Sequence, residues 1–368
     1  MICGMVLPHN SAATFDRTMT QAPMKEIRIG IIGLGQNTRE RHVPGLLEQQ
    51  GVKLTGVCNR RPESTQQAAS DFQIPRTFEH WEQLVADPDI DAVVVGTWPY
   101  LHCEITLAAL AAGKHVLTEA RMARNAGEAL QMLQASQQRN ELTTQIVPSP
   151  FGLRVHQVVK EMLAEGYLGE LREAVVWGTN DALADPQAPL HWRQSAQLSG
   201  LNMLMLGILH ETLSRWVPHP VSVMAQTDAF IPHRIDPLSG ALVRVGTPDS
   251  VRAWATLPNG GRVLYHLSSV IHFGPGLQIH LYGSEGTLKV DLAGNETLWG
   301  ARRGDSSLQP IRIPAERAGC WRVEEEFIRA IRGQEQVTFT NFETGMRYMQ
   351  FTEAVARSAQ AKTEIRLD

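Results

Sequence analysis

The chain has 368 residues, of which 43% are hydrophobic and 20% are charged. This composition is typical of a globular protein with a full hydrophobic core, and the length predicts two domains. The net charge of -4 offers no basic field for nucleic acid, and no apolar run approaches the length of a membrane span. The four cysteines are scattered without a C-x-x-C pair, which favours reduced thiols in a cytoplasmic protein.

Residues 1–23 have neither the basic start nor the long apolar core of a signal peptide. We expect them to form a disordered tail. Met24 directly precedes the first predicted strand and is a second candidate for the start of the protein.

The most informative segment covers residues 27–35, an apolar, β-branched run that stops at Gly33 and Gly35. A helix is predicted from residue 39 to residue 49. A strand, a glycine turn and a helix N-terminus together form an anion site, because glycines let the backbone approach a pyrophosphate and the free N–H groups point at it. The segment predicts a bound dinucleotide, although Thr38 stands where the G-x-G-x-x-G pattern has its third glycine. An ordinary tight turn is the alternative.

Strand and helix patterns alternate through the first part of the chain. Strands are predicted over residues 52–58, 76–78, 91–96, 115–118 and 143–147, and helices over residues 62–71, 101–112 and 125–139. This alternation predicts an α/β Rossmann domain with a parallel sheet over residues 24–147.

The pattern changes after Pro148-Ser149-Pro150. Strands are predicted over residues 171–179, 250–257, 261–271, 277–282 and 287–290, and helices over residues 151–165, 201–216, 320–331 and 342–359. Residues 148–368 are therefore predicted to form an α+β domain with a large open, mainly antiparallel sheet.

Several short motifs follow one another along the chain. They are His42-Val43-Pro44-Gly45-Leu46, Thr97-Trp98-Pro99-Tyr100-Leu101-His102, Gly113-Lys114-His115-Val116-Leu117 before Glu119, Glu165-Gly166-Tyr167-Leu168-Gly169, His191-Trp192-Arg193 and Gly283-Ser284-Glu285-Gly286-Thr287. In this order and spacing, residues 25–365 resemble the Gfo/Idh/MocA family of nicotinamide-dependent oxidoreductases. The resemblance implies a sugar, inositol or polyol as substrate, and an open sheet that mediates oligomers, here a homodimer or homotetramer.

The resemblance also implies two sets of cofactor contacts. The pyrophosphate set is Gly33, Gly35, Gln36 and Asn37, and the nicotinamide set is Thr97, Trp98, His102 and Glu119.

The charge of the residues at the end of the second predicted strand indicates whether NAD or NADP binds. A carboxylate there binds the adenosine ribose and repels a 2′-phosphate. This chain has Asn59, Arg60 and Arg61 instead, so two guanidinium groups are available for a phosphate. The pattern favours NADP, with NAD as the alternative if the two arginines are only a solvated surface pair.

The first catalytic region departs from the family pattern. Where the family has Glu-Lys-Pro, the chain has Glu119, Ala120 and Arg121, so the lysine that bonds the reacting oxygen and relays its proton is missing. Arg121 stays protonated, which makes it a poor general base but able to hold an anionic substrate or an oxyanion. The alternative for Arg121 is a surface position.

The second catalytic region also departs. Aligned on Arg215-Trp216, the family's inward histidine and aspartates are replaced by Leu209, Met205 and Thr212. The adjacent His210 is predicted to transfer the proton, since histidine titrates near neutral pH. A packing role is the alternative, because one helical step turns a side chain by about 100°.

Three further residues are candidates for the substrate pocket. His191, Trp192 and Arg193 are candidate substrate contacts, with Trp192 as a wall. No pair of histidines has helical metal spacing, so no metal is predicted.

The sequence favours an NAD(P)-dependent oxidoreductase that acts on a CH–OH group of a sugar-like compound with altered catalytic residues. Two alternatives remain open. One is a glycoside-cleaving enzyme that retains its nicotinamide cofactor. The other is a non-enzymatic sensor, which the loss of proton-handling groups at Ala120, Met205 and Leu209 favours.

Overall fold

The computed structural model describes residues 26–367, so the predicted tail and Met24 lie outside the described residues. The strands of the first part are β1 Ile27–Ile32, β2 Val52–Cys58, β3 Arg76–Thr77, β4 Ala92–Val95, β5 His115–Thr118 and β6 Thr144–Ile146. They form one parallel sheet in the order β3-β2-β1-β4-β5-β6. The predicted parallel Rossmann sheet is confirmed. The order reverses between β1 and β4, and the crevice at such a switch point is where dinucleotides bind.

The helices of this sheet are α1 Val43–Leu47, α2 Pro62–Phe72, α3 Trp81–Ala86, α4 Pro99–Ala111 and α5 Ala126–Gln138. Helix α3, which is only six residues long, was not predicted from the sequence. A π-helical turn, Thr38–His42, leads into α1, and the helical path begins at Gln36 rather than at residue 39. The helix N-terminus therefore lies directly at the glycine turn.

A second, larger sheet follows. Its strands are β7 Leu171–Thr179, β8 Ser222–Asp228, β11 Ser250–Thr256, β12 Arg262–Ser268, β13 Leu277–Gly283, β14 Gly286–Asp291, β15 Thr297–Arg302, β16 Gln309–Ile311 and β17 Ile365–Arg366. A separate hairpin consists of β9 His233–Ile235 and β10 Leu242–Arg244. The order of the large sheet is β16-β15-β14-β13-β7-β12-β11-β8-β17, and among the described strands only β7 and β12 pair in parallel. The predicted, mainly antiparallel sheet is confirmed.

One face of the large sheet is covered by helices. The remaining helices are α6 His156–Ala164, α7 Ala196–Ser199, α8 Leu206–Ser214, α9 Val323–Ile331 and α10 Phe342–Ala361. The helices predicted over residues 151–165 and 201–216 begin later than expected, at His156 and Leu206. Gly152 and Gly200, both at positive φ, and Leu204 at φ 46° hold the preceding segments in non-helical turns.

The other face of the sheet is open. Across seven strands the register places Met224, Trp254, Leu264, Val175, His280, Lys289 and Trp299 in one row. Trp254 and Met224 are 51% and 49% exposed, so the row presents apolar surface to solvent.

Helix α9 returns to the first sheet. Its Phe327 and Ile328 belong to the same buried cluster as Ile29 and Leu46. Helix α9 thus completes the core that β1 and α1 form. No helix within residues 26–367 is long and apolar enough to cross a membrane.

Candidate functional site

The glycine turn after β1 requires its first glycine for conformation and packing. Gly33 has φ 85°, and a Cβ there would lie 2.7 Å from the Thr97 nitrogen. Gly35 is different, because the nearest neighbour of an added Cβ is the Gly96 oxygen at 3.9 Å. The protein's own packing therefore does not explain Gly35. The space beside it, at a helix N-terminus, fits a pyrophosphate.

Gln36 and Asn37 open the helix but differ in their contacts. Gln36 is exposed and donates to Glu40 Oε1 at 2.9 Å. The Asn37 amide donates instead to Glu119 Oε1 and lies 3.3 Å from His42 Nε2. Asn37 thereby joins the glycine turn to the residue that follows β5.

Asn59 holds the glycine turn from the end of β2. Its Oδ1 accepts from the Leu34 nitrogen at 2.7 Å, and its Nδ2 donates to the Ser64 oxygen at 2.9 Å. Arg60 and Arg61 are exposed, and no ion pair is recorded for either within the described residues. The Arg60 guanidinium lies 5.8 Å from the Trp98 ring centroid. Both cations are therefore exposed just beyond the carboxyl end of β2.

His102 links the loops that follow β4 and β5, which contain the predicted nicotinamide contacts and are called the cofactor loops below. It is fully buried, with Nδ1 2.9 Å from the Arg121 oxygen and Nε2 2.9 Å from the Thr97 oxygen. His102 therefore positions the loops after β4 and β5, and it does so through backbone contacts.

Two tryptophans bring the two parts of the chain together. The rings of Trp98 and Trp192 are stacked, with centroids 5.3 Å apart and an interplanar angle of 12°. The Arg193 guanidinium lies 4.2 Å from the Trp192 ring centroid, and the His191 ring lies 5.6 Å from that of Trp192. Trp192, a candidate substrate contact, thus lies against Trp98 of the predicted nicotinamide set.

Glu119 is held by a histidine that the sequence analysis did not assign to the site. His42 Nε2 lies 3.0 Å from Glu119 Oε1, and His42 Nδ1 bonds Glu324 on α9. Burial alone lowers the pKa of His42, but the bonds to Glu119 and Glu324 outweigh it and raise that pKa to about 9. Burial raises the pKa of Glu119, and the bond to His42 outweighs it, so the net shift is downward. The Glu119 side chain is 16% exposed and His42 is 0% exposed, so of these two residues only Glu119 is accessible from outside.

Arg121 is a buried cation beside this pair. It is 8% exposed, and its Nη2 donates to the Leu204 oxygen at 2.8 Å. Burial, and then the nearby charge of Arg193, lower the pKa of Arg121 to about 10, so it remains a cation at neutral pH. No carboxylate pairs with Arg121 in the part of the chain that the structure describes. A buried charge without a partner is costly, which points to an anionic group supplied by a ligand.

His210 has a different environment from Arg121 and Glu119. Its Nδ1 bonds the Tyr265 hydroxyl at 2.7 Å, and its ring stacks on Phe351 at 3.8 Å. Burial is the main cause of the lowered pKa of His210. Its recorded ring contacts, which also include His219, contain no member of the cofactor loops.

No pattern in the sequence predicts that His42 and Glu324 form a hydrogen bond. His42 lies in a motif, but its bond to Glu324 joins residues 282 positions apart. Only the return of α9 to the first sheet brings them together.

The parallel sheet, the glycine turn and the crevice between β1 and β4 define a dinucleotide-binding protein of the Rossmann class. Residues 27–146 match the model of the oxidoreductase family with an NAD-binding Rossmann fold, and residues 156–289 match the GFO/IDH/MocA C-terminal domain. The chain belongs to the Gfo/Idh/MocA family of oxidoreductases.

Known relatives span most of the chain. An uncharacterized oxidoreductase of Synechocystis sp. is 28% identical over 73% of this chain and 72% of its own length. The 1,5-anhydro-D-fructose reductase of Ensifer adhaerens is 28% identical over 71% of this chain and 74% of its own length. The structure of a levoglucosan dehydrogenase in complex with NADH superposes with a TM-score of 0.82 at 21% identity, covering 94% of this chain and 100% of that one, which shows a shared fold.

Proposed function

We propose that the protein is an NAD(P)-dependent oxidoreductase that acts on a hydroxyl or carbonyl carbon of a sugar-like substrate carrying a carboxylate. The buried, unpaired cation of Arg121 carries this proposal, because it lies beside the cofactor loops and within electrostatic reach of Arg193. Two neighbouring guanidinium groups favour an anion over a neutral sugar. The names of relatives that act on sugars support the sugar-like class.

In this proposal, one residue binds the negative charge of the substrate and two others hold the proton. A bound nicotinamide cofactor would supply or accept the hydride. Arg121 holds the substrate's negative charge and keeps its own proton, since its pKa is about 10. Glu119 and His42 form the coupled pair that stores a proton, with Glu119 as the member that is accessible from outside.

The role of His210 in proton transfer stays a prediction. Its hydrogen bond to Tyr265 and its stacking on Phe351 support the packing alternative.

The proposal is tested by measuring reduced-nicotinamide absorbance with matched pairs of substrates, such as a sugar and the corresponding sugar acid. We expect turnover, with kcat/KM higher for the acid by about tenfold or more, equivalent to about 1.4 kcal/mol. Turnover without net absorbance change and with retained cofactor would support glycoside cleavage instead. Cofactor binding without turnover of any sugar would support the sensor.

We also propose that the preferred cofactor is NADP. Arg60→Gln with Arg61→Gln is expected to weaken NADPH binding by about tenfold, because each guanidinium would otherwise pair with the 2′-phosphate, and to change NADH binding by less than about twofold. Titration calorimetry measures both. Arg303→Gln with Arg312→Gln removes the same charge from exposed positions elsewhere and serves as the control. Equal losses for NADPH and NADH would contradict a phosphate contact.

The open sheet face is proposed to join copies of the chain into a homodimer or homotetramer. Trp254→Glu places a charge next to Met224 in the most exposed apolar part of this row and is expected to yield monomers in light scattering after size exclusion. Phe273→Glu changes an exposed aromatic residue in a loop and should leave the assembly intact. An unchanged mass for Trp254→Glu would exclude this face as the interface.

A further inference from the structure

We propose that a cavity between α6, α8 and α10 binds a small oxyanion-bearing metabolite, at a site separate from the cofactor cleft. The cavity has a volume of about 680 Å³, within the usual range for small-molecule sites. Of the residues assigned to the cleft by sequence, only His210 lines it, and none of the cofactor loops does.

The charges along the cavity do not cancel. Lys160 and Arg347 are exposed cations at its rim, and neither has a recorded ion pair within residues 26–367. Arg215 and Glu211 also line it but neutralise each other, with Nη2 and Oε1 2.8 Å apart. Within residues 26–367, two positive charges at the cavity therefore have no ion-pair partner, which disfavours a cation and favours an anion.

Among the described residues that line the cavity, Glu211 is the one carboxylate, and the protein itself already binds its oxygens. Glu211 accepts from the Ser149 nitrogen at 2.6 Å, from Thr340 Oγ1 at 2.7 Å and from Arg215. Its oxygens are therefore engaged in holding α8 to the segments around it, and they offer little to a bound cation.

Buried nitrogen atoms without partners supply the second observation. The Arg215 side chain is 5% exposed, and its Nη atoms donate to Phe151, Ser149 and Glu211, while Nε has no partner among the described residues. His210 is 1% exposed; Tyr265 occupies its Nδ1, and Nε2, on the other side of the ring, likewise has no described partner. Buried polar groups are normally satisfied, and an N–H donor such as Arg215 Nε suits an oxyanion.

The residues that line the cavity indicate which kind of molecule would carry the anionic group. Pro218, Pro220 and Pro258 give rigid apolar surface, and Phe339 and Phe351 add aromatic faces. A compact organic body with one highly charged oxyanion group, phosphate or dicarboxylate, matches this combination. Inorganic phosphate is the smallest probe of the charged group.

Calorimetric titration of the full-length protein with inorganic phosphate, at constant ionic strength and saturating NADPH, tests the proposal. We expect binding to the wild type, and a Kd raised by about tenfold or more in Lys160→Gln with Arg347→Gln. The Arg303→Gln with Arg312→Gln variant, which loses the same charge, should bind as the wild type does. Tungstate soaked into crystals should give an anomalous peak beside Arg215.

Three results would overturn the proposal. The first is the absence of phosphate binding to the wild type. The second is unchanged binding in Lys160→Gln with Arg347→Gln, checked by its melting temperature to be folded. The third is binding that is lost in Arg60→Gln with Arg61→Gln instead, since that would place the phosphate in the cofactor cleft. None of these results bears on turnover, so the proposed function is tested separately. A comparison of phosphate with a sugar phosphate and a dicarboxylate of similar size then distinguishes the two ligand sources.

Discussion

Replacing Arg121 with methionine is expected to lower kcat/KM by about 100-fold or more, or about 3 kcal/mol of transition-state stabilisation. Methionine approximates the volume of the buried side chain but removes its charge. The loss follows because Arg121 is a buried cation one residue after Ala120, which replaces the family's lysine, and no described carboxylate compensates its charge. Steady-state kinetics with the substrate identified in the matched screen measures the effect.

The Arg121 variant needs controls that separate chemistry from structure, because its Nη2 also bonds the Leu204 oxygen ahead of α8. Nicotinamide affinity should change by less than about threefold, and free guanidinium in the assay should restore part of the rate. Arg124→Met is the matched control, since Arg124 follows closely in sequence but is paired with Glu128. A rate for Arg121→Met equal to that of the wild type would remove Arg121 from the mechanism.

The Rossmann half of the fold was predictable because its signals are local. The fully buried β4 reads Ala-Val-Val-Val, and β1 is followed by Gly33, which the turn requires. Each is a continuous run that needs no distant partner for its interpretation. In the large sheet and the hairpin, the short β9, β10, β16 and β17 were not predicted from the sequence, and neither were the longer β8 and β15.

The residue types at the site could be predicted from the sequence, but the contacts of their side chains were less predictable. The loss of a carboxylate at Asn59 is visible in the sequence, yet the direction of its amide toward Leu34 depends on the folded turn. The place of His210 depends on where α8 begins and on which face of α8 meets Phe351. The contact of His42 with Glu324 depends on the return of α9, which no local pattern reveals.

The second large expected effect is the contribution of His42 to the free energy of unfolding. A histidine whose pKa is raised on folding stabilises the folded state fully below its unfolded pKa of 6.5, and that contribution is lost as the pH rises through about 9. The shift corresponds to about 3 kcal/mol at most. We therefore expect the unfolding midpoint of the wild type in urea to fall between pH 6.5 and pH 9.

His42→Gln keeps a polar side chain of similar size but cannot carry the charge between Glu119 and Glu324. It should lower the free energy of unfolding at pH 6 by about 3 kcal/mol, because two carboxylates lose their buried cation, and should flatten the pH dependence. His233→Gln changes an exposed histidine on β9 and should leave both properties as in the wild type. A wild-type stability that rises from pH 6.5 to pH 9, or a His42→Gln profile that still falls as steeply, would show that His42 is not the charged centre of this pair. If the profile flattens while kcat also drops, the same proton serves both the fold and the cleft, since Glu119 is the residue that connects them.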